Sequence, residues 1–153
     1  SQFMAAMNKE LSSIKEKGTT EGLTIKDKAH FLAVAKNLTS ALEYYTKAAN
    51  LGEPNAHFRL GLFYAQGNQV VQTDQTKAFY LFMIAAQQGI TRAQTLVGIH
   101  YVNGYGVEKN WEEGFGWLIA AWKNGDDYAK TTLEELGYEF TTIEQNNNNE
   151  TLP

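Results

Sequence analysis

The chain has no cysteine. That excludes a disulfide framework, thiolate zinc sites and cysteine nucleophiles, although it leaves the compartment open. No run approaches the ~20 apolar residues that a membrane-spanning helix needs. No Lys/Arg cluster is present, and the formal net charge is −4. Binding to nucleic acid or to an anionic membrane by bulk electrostatics is therefore not expected. The chain begins at Ser1 without a methionine. Three readings of that start stand: a mature form after signal cleavage, an excised fragment, or a cytosolic protein after Met removal. Of these, a periplasmic or secreted setting is favoured over a cytoplasmic one.

What the chain does have is a pattern of small residues recurring about every 37 positions. Ala41 is followed by Tyr44-Tyr45, Ala48-Ala49, Gly52 and Ala56. The same offsets from Ala78 give Leu81-Phe82, Ala85-Ala86, Gly89 and Ala93, and from Gly114 they give Trp117-Leu118, Ala121-Trp122, Gly125 and Ala129. Such a period marks a solenoid, whose units bury their apolar faces only against neighbouring units.

A second set of offsets lies between the first. Ala56 is followed by Leu60, Gly61, Tyr64 and Gly67, and Ala93 by Val97, Gly98, Tyr101 and Gly104. These steps place a close-approach stripe on one helix face, which defines a helix A; the Ala78-type segments are helix B. Asn37, Asp74 and Asn110 each lie four residues before the opening of a helix B pattern and read as N-caps. Gly52, Gly89 and Gly125 stand where a left-handed residue closes a helix. Pro54 falls near the start of a helix A, where its missing N–H costs little.

The combined motif, Ala-x3-Leu-Gly-x2-Tyr-x2-Gly, a Gly-Val loop, then Ala-x2-aromatic-aromatic-x2-Ala-Ala-x2-Gly, resembles the Sel-one-like repeat, a longer relative of the tetratricopeptide repeat. The resemblance covers residues 36–137 and implies an all-α, right-handed solenoid of antiparallel helix pairs with divergent ends. Glu134 and Gly137 depart from it in the last helix A, and Trp122 in the last helix B; these changes read as a terminal cap. Residues 1–35 are assigned to N-terminal capping helices. Phe3, Met7, Leu11 and Ile14 form one amphipathic stripe, and Thr24 with Asp27 forms a capping box for a helix running to Lys36. Residues 138–153 are assigned to a polar, flexible tail.

No catalytic or metal-binding motif is found. His30, His57 and His100 occupy unrelated repeat positions without ligand spacing and read as structural or surface histidines. Asp126-Asp127 read as helix-start acids, Glu134-Glu135 as a solvated cap, and Gly104-x-Gly106 as a turn rather than a phosphate loop. Tyr44, Tyr45, Tyr64, Phe82, Tyr101 and Trp117 fall on the periodic stripes and are expected in the core, while Leu42, Phe79 and Phe115 are expected to pack on the following repeat. Tyr80, Met83 and Ile84 break the pattern and mark a second apolar surface, covered by a terminal segment or by a partner.

The resemblance implies that the A helices line a concave surface that holds a segment of a partner protein. Carried onto this chain, the facing residues are Asn55, Phe58, Leu62, Ala65 and Gln66 in one unit and Arg92, Thr95, Ile99, Val102 and Asn103 in the next. The expected function is a non-enzymatic adaptor or scaffold without cofactor or metal, in envelope, secretion or host-interaction processes. Alternatives are an immunity protein neutralising a secreted toxin, a regulatory fragment of a larger protein and, last, a carboxylate-based hydrolase of envelope glycan. Partner identity and oligomeric state stay open.

Overall fold

The structure, a computed structural model, describes residues 25–140, with side chains from Ala33 onward. The amphipathic stripe over residues 3–16, Thr24, the histidine side chain at position 30 and the tail from residue 141 lie outside the described residues. Among the described residues there are six α-helices and no strand: α1 Ile25–Asn50, α2 Ala56–Gln66, α3 Gln75–Gln87, α4 Thr91–Asn103, α5 Trp111–Lys123 and α6 Asp127–Glu135. The helices A of the repeat are α2, α4 and α6; the helices B are the second half of α1, α3 and α5. Consecutive helices pack on one another, so the apolar interior forms a row of clusters rather than one centre. One cluster gathers Ala78, Phe82, Ala85, Ala86, Ala93 and Val97, and the next gathers Val102, Leu118, Ala121, Trp122, Ala129 and Leu133.

Local chemistry explains most helix ends. Asp74 accepts from Lys77 N and Asn110 from Glu113 N, each at 3.0 Å, which caps α3 and α5 as their side chains predict. Each helix B closes in a Schellman motif; after α3, Gly89 N donates to Ala86 O and Ile90 N to Ala85 O, both at 3.1 Å. Pro54 lies in the turn before α2, and the residue that precedes the helix is Asn55, at a left-handed φ of 66°.

Asn37 does not cap a helix. It is an exposed residue inside the 26-residue α1, so the expected break between a capping helix and the first helix B is absent. The reason is continuity of the buried stripe. Val34 and Leu38 lead directly into Ala41, Leu42, Tyr45, Ala48 and Ala49, and no glycine or proline interrupts them. One mid-helix Asn costs only about half a kcal/mol, too little to break such a stripe. Asn37→Ala is accordingly expected to raise stability by a few tenths of a kcal/mol, whereas Asp74→Ala and Asn110→Ala each lower it by about 1 kcal/mol. Urea unfolding followed by circular dichroism checks the contrast, and equal losses for all three would contradict it.

The two ends of the solenoid differ from the repeat in ways that packing accounts for. Tyr44 is 62% exposed rather than in the core. Its repeat equivalents, Leu81 and Trp117, pack against the preceding clusters, and among the described residues nothing precedes α1 to receive Tyr44. At the other end, Gly137 at a φ of 83° stands where α4 carries the helical Tyr101, and α6 stops after nine residues. Tyr138 and Phe140, assigned by composition to the tail, pack instead beside Phe115 and Trp122, with Phe140 and Trp122 ring centroids 4.4 Å apart. As expected, Phe79 reaches the next repeat, edge-on to Tyr101 at 5.2 Å. His100 is a core residue: its ring lies among Phe79, Phe82 and Tyr105, and Nδ1–H donates to Tyr105 O at 2.9 Å. Burial pushes its pKa down, outweighing that hydrogen bond.

Candidate partner-binding groove

Helices A present residues to the groove only where their close-approach stripe leaves them free. In α4 that stripe is set by Gly98, where an added Cβ would meet Leu118 Cγ at 2.7 Å and Gly114 O at 2.9 Å. The α4 face turned from this contact carries Ile99 and Asn103. In α2 the corresponding residues are Leu62 and Gln66; Leu62 is half-buried against the Phe82 cluster, as are Phe58 and Ala65, the repeat equivalents of Thr95 and Val102. Phe58 lies 6.1 Å from Phe82, with the Arg59 guanidinium 5.8 Å above its ring. Asn55 and Gln66 are exposed at the two ends of α2.

Ile99, Val102 and Asn103 come together with Tyr128, Thr132 and Glu135 of α6, and with Leu136 just past it, around a cavity of about 200 Å³. The last four were missed as groove residues. The repeat offset does point to them, since Tyr128 and Glu135 stand one period beyond Arg92 and Ile99. Reading Glu134-Glu135 as a solvated cap hides this correspondence.

Two sequence-predicted groove residues serve the interior instead. Thr95 is fully buried and its hydroxyl donates to Asp126 Oδ2. Val102 is 4% exposed, floors the cavity and packs in the Leu118 cluster, so little of it reaches a partner. Both are corrections with one cause: α5 and α6 cover the side of α4 on which these residues stand. Arg92 holds an intermediate position. Its side chain is 52% exposed, yet Nε and Nη2 donate to the two Asp126 oxygens at 3.0 and 3.1 Å, and the guanidinium lies 5.0 Å over the Tyr128 ring.

Asp126 ties the groove wall together. It is the N-cap of α6, accepting from Tyr128 N at 3.1 Å, while it holds Thr95 and Arg92 of α4. Burial pushes its carboxyl pKa up, but hydrogen bonds from Thr95, Arg92 and Tyr128 N, with the Arg92 charge, outweigh it and hold the carboxyl below the usual aspartate range. This is a positioned structural carboxylate. Among the described residues no group of three or more His, Asp or Glu side chains is arranged to hold a metal ion.

On the outer face, Tyr80 is 65% exposed while Met83 and Ile84 are half-buried. Met83 packs against the Phe82 cluster, so only Tyr80 of this second surface stands clear of the fold.

A family model described as Sel1 repeat matches residues 31–53, 54–90 and 91–126. The chitin synthase regulator SKT5 of Saccharomyces cerevisiae is 31% identical over 101 residues, covering 65% of this chain and 14% of that protein. Among solved structures, a Sel1 repeat protein from Oxalobacter formigenes superposes with a TM-score of 0.57 at 32% identity, covering 61% of this chain and 27% of that one. The protective antigen c5321 of uropathogenic Escherichia coli, which displays an SLR fold, gives a TM-score of 0.62 at 25% identity, covering 91% of this chain and 30% of that one. The chain thus spans less than a third of the length of each of these relatives.

Proposed function

This chain belongs to the Sel1 repeat family, and we propose that it is a non-enzymatic protein-interaction module gripping a segment of a partner protein along the groove of α2, α4 and α6. The observation that carries the reading is the cavity between α4 and α6, lined in part by Ile99, the repeat equivalent of the half-buried Leu62 of α2. A rigid, preformed surface lowers the ordering cost of binding, which suits a scaffold. Half-buried aliphatic and aromatic side chains serve as anchors, with Asn55, Gln66 and Asn103 available to a partner backbone. The carboxylates favour this reading over glycan hydrolysis, because Asp126 is already engaged by Arg92 and Thr95. The yeast relative is a chitin synthase regulator, which favours a regulatory adaptor, and the two bacterial structures favour an envelope, secretion or host-interaction setting.

Selection of random displayed 12-residue peptides on the immobilised chain provides ligands for a direct test. Leu62→Asp combined with Ile99→Asp is expected to weaken the selected peptides at least about tenfold, with helical circular dichroism retained, while Tyr80→Asp leaves them unchanged. Peptides lost with Tyr80→Asp but kept by the groove variant would move the site to the outer face and sink the assignment.

A further inference from the structure

The cavity between α4 and α6 brings several hydrogen-bond acceptors together, with one carboxylate and no cationic side chain in its lining. Asn103 Nδ2 donates one of its two N–H groups to Ile99 O at 3.1 Å, which fixes the amide and leaves Oδ1 able to accept from a ligand. The Thr132 hydroxyl donates to Tyr128 O at 2.8 Å, which commits its proton and leaves its lone pairs. Glu135 adds a carboxylate, an acceptor only when ionised. The floor supplied by Ile99, Val102 and Leu136 is apolar. The pocket therefore offers acceptors around an aliphatic surface.

Helix position adds to the same preference. The cavity reaches the end of α4 at Asn103 and runs along α6 from Tyr128 to its end at Glu135. Both helix ends direct the negative pole of their dipole there and favour a cation. The nearby guanidinium of Arg92 does not supply one, because it is paired with Asp126 at the other end of α6.

From this complementarity, and resting on the groove reading above, we infer that the cavity receives a lysine side chain of the partner segment. Its methylene stem lies on Ile99 and Leu136, and its ammonium meets Asn103 Oδ1, Thr132 Oγ1 and Glu135. Three donors on a compact ammonium match three acceptors better than the planar fork of arginine does.

The test is an ¹⁵N-resolved NMR titration of the whole chain with acetylated, amidated Ala-Leu-Lys-Leu-Ala and with the same peptide carrying norleucine for lysine. The lysine peptide is expected to shift the amides of Ile99, Asn103, Thr132 and Glu135. It should bind about fivefold more tightly than the norleucine peptide, with the margin shrinking at high salt. Glu135→Gln, at an exposed position that leaves folding intact, should remove most of that margin, and Glu112→Gln on α5 should not. Equal binding of both peptides at these residues would overturn the lysine preference and leave the groove reading standing. Shifts confined to other surfaces would overturn the inference, while the displayed-peptide selection judges the groove separately.

Discussion

Gly114→Val is expected to destabilise the chain by about 3 kcal/mol or more. A Cβ at position 114 would stand 2.5 Å from Val102 Cγ2, 2.9 Å from Gly98 O and 3.1 Å from Val102 N. Two of those three atoms are backbone, so relief requires moving α4 as a whole. That movement would open the cluster of Val102, Leu118 and Ala129. Helix propensity acts the other way, since replacing a helical glycine by alanine gains about 1 kcal/mol. Gly116, two residues on in the same helix, isolates that term because an added Cβ there meets nothing within 4 Å. Gly116→Ala should therefore stabilise by up to about 1 kcal/mol, while Gly114→Ala destabilises despite the same propensity gain. Urea midpoints for the three variants decide the matter, and matching gains at 114 and 116 would refute the close approach.

The second large effect is Asp126→Ala, expected to cost about 2–4 kcal/mol. Loss of the α6 cap contributes about 1 kcal/mol, and a fully buried Thr95 hydroxyl left with only a long 3.5 Å bond to Thr91 O about 1–3 kcal/mol. Arg92, half exposed, turns to water and adds little. Asp126→Asn keeps a cap and an acceptor for Thr95, so it should lose less. A Thr95→Val double-mutant cycle should show coupling between the two positions, and additive losses would mean that they act independently. The pH dependence has a definite sign. A carboxyl held below its unfolded pKa contributes stability above about pH 4, and that contribution falls away as pH drops through the folded value. The parent chain should thus lose stability below about pH 4 more steeply than Asp126→Asn. Because Asp126 anchors the start of α6, the alanine variant should also loosen Tyr128 and Thr132 on the groove wall, seen as faster amide exchange.

Asp74, Asn110, Gly52, Gly89 and Gly125 act within a turn of their own helix ends, and each does what its side chain or missing side chain predicts. Asn37 has the same side chain as Asn110 but lies in an uninterrupted apolar stripe, and packing along α1 overrides a weak local preference. The groove was half legible. Ile99 and Asn103 followed from the period, whereas Thr95 was assigned outward when Asp126, 31 positions away in sequence, draws it inward.

The sequence by itself determined the helices, their pairing into repeats, the residues at which helices approach and most of their caps, because these depend on contacts within one turn or on a period repeated along the chain. Only the tertiary structure decided that α1 runs unbroken, that Tyr44 is exposed and that Tyr138 and Phe140 close the last repeat. It also decided that Tyr128, Thr132 and Glu135 complete a cavity with Ile99 and Asn103. Each of these depends on which helix occupies the neighbouring place, and at the two ends of a solenoid the repeat no longer supplies that neighbour.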